Sequence, residues 1–505
     1  MAKSKYYQTQ DPNELLDQLI ELRDEIKLEG LKIYSNWEDQ ITRNAFRESA
    51  ENLSYYLALR QRDITQLQID LIPWGLSSLG RLESKTLVTL DVVIATLYDV
   101  IDEAIEHTHP NPKEFDVGRR RLQKNTKKIF GKKPKNRTTR IMVTMPNEAI
   151  EDKEFIGDLI DEGMNVARIN CAHNTEEEWI KMIENIQSEA KELNKDVRIL
   201  MDIAGPKIRT DWVYTHLSKP KVSKGDLIRI TRDFDKLPSE NDVNVTAGCD
   251  LDVIYEQIEV DQAVLFDDGE IESVVKEVAK DEFILKVVKT KSKSVRVKAE
   301  KGMNFPNHSF KFDSLNDKDK NDINFACQHA DIIGCSFVND GEDIQLIQKE
   351  IEKNLDEKAS EMSLMAKIET VRAVRNLPEI IYTAASKNPF GIMIARGDLA
   401  AESGYIDLAG LQQEIMWISE AGDIPVVWAT EVLDTLVNDG IPTRSEVTDA
   451  AEGTRADCVM LNKGDYIRDG VQMLNRIIER MEPLQYKKTP ILGKLNFTNV
   501  SSDEK

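Results

Sequence analysis

The sequence predicts an α/β fold: a (β/α)8 TIM barrel with a small inserted β-barrel lid domain, preceded by an all-α N-terminal domain. Three observations predict it. After residue 140, eight short runs rich in β-branched residues alternate with helix-sized charged stretches. Repeated β-then-α order builds a parallel sheet, and eight units suffice to close it. The interval between the third and fourth runs is far too long for one helix, and it holds five further short runs separated by glycine or charged turns. That spacing describes an all-β insert. The first 115 or so residues carry helical periodicity alone.

Taken in order, Asp11-Pro12-Asn13-Glu14 reads as a helix start, with a capping aspartate, proline at the first helical position and glutamate at the third. Leu15, Leu19, Leu22 and Ile26 then lie on one helical face. Further helices are expected over Glu38–Arg62 and Ser84–His107, separated by the Trp74–Gly80 turn region. Together they form a helical domain over 1–117, whose expected role is packing or oligomerisation, or else contact with a regulatory partner. Residues 118–136, rich in lysine and arginine, read as a basic linker, a solvated connector, with an anion or nucleic-acid contact as the alternative reading. The barrel is expected over 137–212 and 304–490, its runs being Arg140–Met145, Asn165–Cys171, Val197–Ile203, Asp331–Phe337, Leu364–Glu369, Gly391–Gly397, Pro425–Thr430 and Cys458–Asn462. The lid spans 213–303, with runs at Asp226–Asp233, Ala263–Asp267, Glu270–Val278, Glu282–Thr290 and Ser294–Lys298. A polar tail, 491–505, closes the sequence.

Composition narrows the class. The chain has 505 residues and a formal net charge of −22. Such a charge argues against a nucleic-acid partner, which needs cations to displace phosphate counterions. Charged residues make up 31% and hydrophobic residues 41%, as in a globular protein. The five cysteines contain no CxxC pair, which suits free thiols and a cytoplasmic location. The N-terminus has no apolar signal, and the most apolar stretch, Leu87–Ile101, is too short to span a bilayer, so no membrane association is expected.

Barrel active sites sit where strands end. The last residues of the runs are Arg168 and Asn170, Asp202, Ser336, Lys367 and Glu369, Arg396 and Asp398, and Thr430. Charged groups inside apolar strands are costly without partners or a metal. A structural ion-pair network could account for any one of them, but not for so many converging from six strands. Glu369 and Asp398, on adjacent strands, are hard oxygen ligands suited to Mg2+, with Mn2+ as a substitute. Arg168 and Lys367 offer fixed positive charge to a transferring phosphoryl group. Gly397 lets backbone amides approach an anion at the start of the following helix, and Thr430 can hydrogen-bond a carboxylate or pass a proton. No Walker A motif occurs.

Several motifs then stand together. Met164-Asn165-Val166-Ala167-Arg168-Ile169-Asn170, Asp202 with Gly205-Pro206-Lys207-Ile208-Arg209-Thr210, and Lys367-Ile368-Glu369 resemble the pyruvate kinase family. So do Ile392-Met393-Ile394-Ala395-Arg396-Gly397-Asp398-Leu399, Ala429-Thr430 and Pro442-Thr443-Arg444-Ser445-Glu446. Asp267-Asp268-Gly269 and Lys301-Gly302-Met303-Asn304-Phe305-Pro306 are similar to the family's lid and its return to the barrel. The resemblance covers about 137–480. It implies transfer of a phosphoryl group from phosphoenolpyruvate to ADP, giving pyruvate and ATP. Lys367 is then the transition-state lysine, Arg168 meets the substrate phosphate, and Ser336, Gly397, Asp398 and Thr430 hold the substrate, with Thr430 near the protonation step. Glu369 and Asp398 hold the metal. Asn170, His173, Arg209 and Lys301 match nucleotide-side positions, with Asp267 on the closing lid.

Departures from the family matter as much. Asn170 and Asp202 are remnants of a potassium site, but Ala172 and Ile203 stand where a serine and a threonine are expected. Lys207 replaces a glutamate, so potassium is expected not to be required. Thr144-Met145-Pro146-Asn147 lacks the glycine of the nucleotide-side turn. Ala204, Asn339 and Leu461-Asn462-Lys463-Gly464-Asp465-Tyr466 also depart from the pattern. The family's C-terminal effector domain is expected to be absent. A homo-oligomer is expected. Two alternatives stay open: enolate chemistry with another acid or acceptor, and a non-catalytic phosphoenolpyruvate or nucleotide sensor.

Overall fold

Asp11 caps the first helix, its side chain accepting from the Asn13 amide at 2.9 Å, and α1 runs Pro12–Ser35 with Leu15, Leu19, Leu22 and Ile26 buried. The computed structural model describes residues 8–9, 11–77, 79–101, 109–205, 207–233, 243–267, 269–306, 315–487 and 489–490. Helices α2 (Arg47–Arg60), α3 (Thr65–Leu71) and α4 (Thr86–Ile101) complete the N-terminal bundle. The helix expected over Glu38–Arg62 is shorter than its pattern. Its first part forms two short 3-10 turns, because the chain there docks on the barrel: the Arg43 amide and Thr42 Oγ1 both donate to Ser386 O, at 2.8 and 3.1 Å. The end of the Ser84–His107 pattern, 102–108, lies outside the described residues.

The bundle shares one continuous apolar core with the outer wall of the barrel. Helix α2 packs on the barrel helix Tyr405–Ala421, where Asn52 Nδ2 donates to Ala421 O at 2.8 Å and Arg60 lies 4.8 Å over the Trp417 ring.

The basic stretch 118–136 corrects the expectation of a solvated connector. Val117–Phe130 is a helix, α5, that buries Leu122, Ile129 and Phe130. Ile129 and Phe130 join the cluster inside the barrel formed by Met142, Val166, Leu200 and Met365. Lysine and arginine fill the solvent side of α5, and its few apolar residues close the barrel floor.

The barrel strands are β1 (Arg140–Thr144), β2 (Val166–Asn170), β3 (Arg198–Ile203), β4 (Ile332–Cys335), β5 (Ser363–Ile368), β6 (Phe390–Ala395), β7 (Val426–Ala429) and β8 (Cys458–Leu461). Each begins within two residues of its predicted run. All neighbours are parallel, and β8 pairs with β1 to close the ring. The register sets Asn170 beside Asp202, and Lys367 beside Met393.

The insert between β3 and β4 forms a seven-stranded sheet with its own core, including Val264, Ile271, Phe283 and Leu285. All five predicted runs contain strands. Thr210–Tyr214, Lys221–Val222, Val245–Cys249 and Met303–Asn304 are additional. Two of these are only two residues long, too short to show alternation. Pro206, Asp268 and the tail 491–505 lie outside the described residues. Among the described residues all five cysteines are free thiols, and no helix is long and apolar enough to cross a membrane.

Candidate active site

The strands deliver their polar residues to one end because side chains alternate and the last inward position of each strand meets the mouth. Asp202, at the end of β3, is 1% exposed. Its Oδ2 accepts from Arg168 Nε at 2.8 Å and Nη2 at 2.5 Å, and lies 3.4 Å from Lys367 Nζ. Lys367 Nζ also donates to Ser336 Oγ at 2.7 Å and stands 3.1 Å from Glu369 Oε1. The second Glu369 oxygen accepts the Phe337 amide at 2.5 Å. Arg168 Nη1 reaches Thr144 Oγ1 at 2.9 Å, joining β1 to the network.

Burial pushes the Asp202 carboxyl up, but Lys367 and Arg168 together pull it below its ordinary value. Burial pulls Lys367 down, and Asp202 and Glu369 more than restore it, so its ammonium is held protonated. Glu369 is raised, by burial first and by Asp398 across the mouth, with Lys367 opposing. Glu369 and Asp398 are hard oxygen donors that repel one another, and each already meets an ammonium, Lys367 at 3.1 Å and Lys207 at 2.5 Å; as an oxygen pair they fit a divalent cation that shares them with these lysines. Among the described residues no three acidic, histidine or cysteine side chains form a metal cage. Mg2+ needs none, since it is held by one or two carboxylates with water and phosphate oxygens.

Asp398 differs from the strand-end reading in its local structure. Strand β6 stops at Ala395, and Arg396, Gly397 and Asp398 form the first turn of the helix Arg396–Ser403. The Gly397 amide donates to Thr430 Oγ1 at 2.8 Å, and that hydroxyl donates to Ala429 O at 2.7 Å. Arg396 Nη2 reaches Thr430 O at 2.6 Å and Asp449 Oδ2 at 2.7 Å, bracing the end of β7. Thr430, Glu431 and Leu433 all have left-handed backbones (φ 65°, 55° and 51°), as does Phe337 (φ 55°). Non-glycine residues in this region store strain and cluster at functional sites.

Lys207 departs from the reading that grouped it with Asn170 and Asp202. Its Nζ donates to Asp398 Oδ1 at 2.5 Å, with Asn304 Nδ2 at 3.5 Å from the same oxygen. The chain returning from the lid makes room for it, since a Cβ at Gly302 would collide with Lys207 Cε.

The other half of the mouth is a cavity of about 320 Å3 lined by Arg168, Asn170, His173, Asp434, Asn438 and Lys463, among others. Burial lowers the His173 pKa, and Lys463, Arg209 and Arg168 lower it further. At the lid, Lys301 Nζ pairs with Asp267 Oδ1 at 2.9 Å, and Arg209 Nη1 reaches Glu300 O at 3.4 Å. The predicted residues thus fall into two groups, one of buried ion pairs and one of half-open cations. Sequence reasoning passed over Lys463, Asp434 and Asn438. Lys463 carried a signal, a lysine two residues past the end of an eighth strand.

The closed parallel barrel, the β insert after its third strand and the charged residues at its mouth define a class of lidded (β/α)8 barrel proteins. Residues 136–470 match the pyruvate kinase barrel domain. The chain is 32% identical over 327 residues to a pyruvate kinase of Encephalitozoon cuniculi, covering 64% of this chain and 70% of that one. It is 32% identical over 364 residues to a pyruvate kinase of Bacillus licheniformis, covering 70% of this chain but only 58% of that protein. A pyruvate kinase from Cryptosporidium parvum superposes with a TM-score of 0.61 at 29% identity, covering 70% of this chain and 72% of the other. The chain belongs to the pyruvate kinase family, whose members are phosphotransferases.

Proposed function

We propose that this protein transfers the phosphoryl group of phosphoenolpyruvate to ADP, giving pyruvate and ATP, with Mg2+ (or Mn2+) required and potassium dispensable. The observation that carries this reading is the buried chain Arg168–Asp202–Lys367–Glu369, whose ammonium is fixed from three sides. A preorganised cation of this kind stabilises charge that develops in a transition state without reorganising. The P–O bond to the enol oxygen breaks as a terminal oxygen of ADP forms the new one, and Lys367 and Arg168 neutralise the oxygens of the group in transit. The enolate left behind takes a proton at its methylene carbon, on the side of Thr430. Ser336, Gly397 and Thr430 orient the substrate.

Glu369 and Asp398 would hold the divalent cation, which when bound polarises substrate oxygens. Asn170, His173, Arg209 and Lys301 supply the nucleotide side, with Asp267 on the lid excluding water.

Potassium independence rests on Ala172 and Ile203, which offer no side-chain oxygen. Replacing sodium by potassium should leave the rate unchanged, and a strong increase would overturn this part. Pyruvate formation measured beside Lys367→Met tests the activity: turnover should fall about 10²–10³-fold in the variant. Phosphoenolpyruvate binding without turnover in the wild type points instead to a sensor. Proton exchange into pyruvate without phosphoryl transfer points to enolate chemistry with another acceptor.

A further inference from the structure

At the opposite end of the barrel from the mouth, a second cleft lies where the N-terminal bundle, α5 and the barrel floor meet. It is a half-open depression of about 700 Å3, within the range of small-molecule sites. Five cations line it, Arg43 from the bundle, Arg121, Lys124 and Lys128 from α5, and Lys387 from the barrel, against two acids, Glu48 and Glu361. Arg121 is already paired with Asp423 and Glu48, and Lys387 with Glu352. The other three have no ion pair among the described residues.

Arg43 is the most telling of them. Arg43 is half-buried, and among the described residues its guanidinium hydrogen-bonds through Nη1 to the carbonyls of Ala385 and Asn388, at 3.4 and 3.5 Å. A guanidinium withdrawn from water normally has a carboxylate or phosphate partner. Lys124 and Lys128 stand one helical turn apart on α5, so their ammonium groups repel one another at close range. In a chain of net charge −22, surplus positive charge in a concave place needs a reason.

We propose that this cleft binds a small phosphorylated anion, held by Arg43, Lys124 and Lys128. Its concave shape and limited volume favour a compact molecule with one or two phosphate groups over an extended polyanion. Such a ligand would bridge the helical bundle to Pro389, which immediately precedes β6. That strand leads at its far end to Arg396, Gly397 and Asp398. The cleft therefore touches both the added N-terminal bundle and the strand that leads to the mouth.

Inorganic pyrophosphate titrated calorimetrically into the full chain, without divalent metal, tests the site. A Lys124→Glu/Lys128→Glu variant alters exposed residues outside the mouth, so folding should be retained. A Lys463→Glu variant controls for binding at the mouth. The wild type and Lys463→Glu should both bind, while the Lys124→Glu/Lys128→Glu variant should lose one site or bind it at least tenfold more weakly. Equal affinity and stoichiometry in the wild type and the α5 variant, or no binding by the wild type, would overturn the proposal.

Discussion

Two buried aspartates, one at the barrel mouth and one at the joint with the N-terminal bundle, show how differently the molecule treats charge. Asp202 meets two cations, Arg168 and Lys367, and its carboxyl is held below its ordinary value in spite of complete burial. Asp423 is equally buried but meets one, Arg121, at 2.7 Å, with Ser49 Oγ at 2.8 Å. Among the described residues its second oxygen has no hydrogen-bond partner, and Glu420 adds a like charge. Burial pushes this carboxyl up to about 7, with Arg121 and Ser49 opposing. One cation does not outweigh burial, and two do. The mouth is built to keep its charges at neutral pH, whereas the joint tolerates a carboxyl near neutrality.

The largest effect should come from removing the carboxylate that two cations share. Asp202→Ala leaves Arg168 and Lys367 buried without it, and should cost about 3–5 kcal/mol in urea denaturation. A loss below about 1 kcal/mol would break the comparison, since Asp202 would then not be compensating for its neighbours.

Asp423 sharpens the other side. Its pKa is higher in the folded than in the unfolded chain, so its contribution to stability is full below about 4 and lost as pH rises through about 7. Relative to Asp423→Asn, the wild type should lose a few kcal/mol between pH 4 and 8. A pH-independent difference between the two thermal midpoints would show that the carboxylate is compensated here as well.

The smallest effect belongs to the open half of the mouth, where Lys463 lines a cavity together with Asp434, Asn438 and His173. Lys463→Ala should raise the KM for ADP about tenfold, roughly 1.4 kcal/mol, with kcat little changed. It should also raise the His173 pKa, since Lys463 is the foremost charge lowering it. An unaltered His173 titration by NMR would remove Lys463 from the site.

Much of this arrangement was legible in the chain. The barrel strands are apolar runs interrupted only at their ends, so the same pattern that located β5 also marked Lys367 and Glu369 as out of place. Helix α5 was hidden because lysine and arginine crowd its surface while Leu122, Ile129 and Phe130 carry the packing. The contact of Lys207 with Asp398 was hidden for a different reason. It depends on the lid returning over Gly302 and on β6 ending one residue before Arg396, which no local pattern encodes. Lys463 was overlooked because its loop was read for what it lacks relative to the family.

The central claim is that the buried Lys367 network serves phosphoryl transfer. The most direct measurement is pyruvate formation from phosphoenolpyruvate with ADP and Mg2+, in sodium buffer, by the wild type and Lys367→Met. The account predicts turnover by the wild type and its loss in a variant that still folds. Equal rates in the two, or a wild type that binds phosphoenolpyruvate and never turns over, would contradict it.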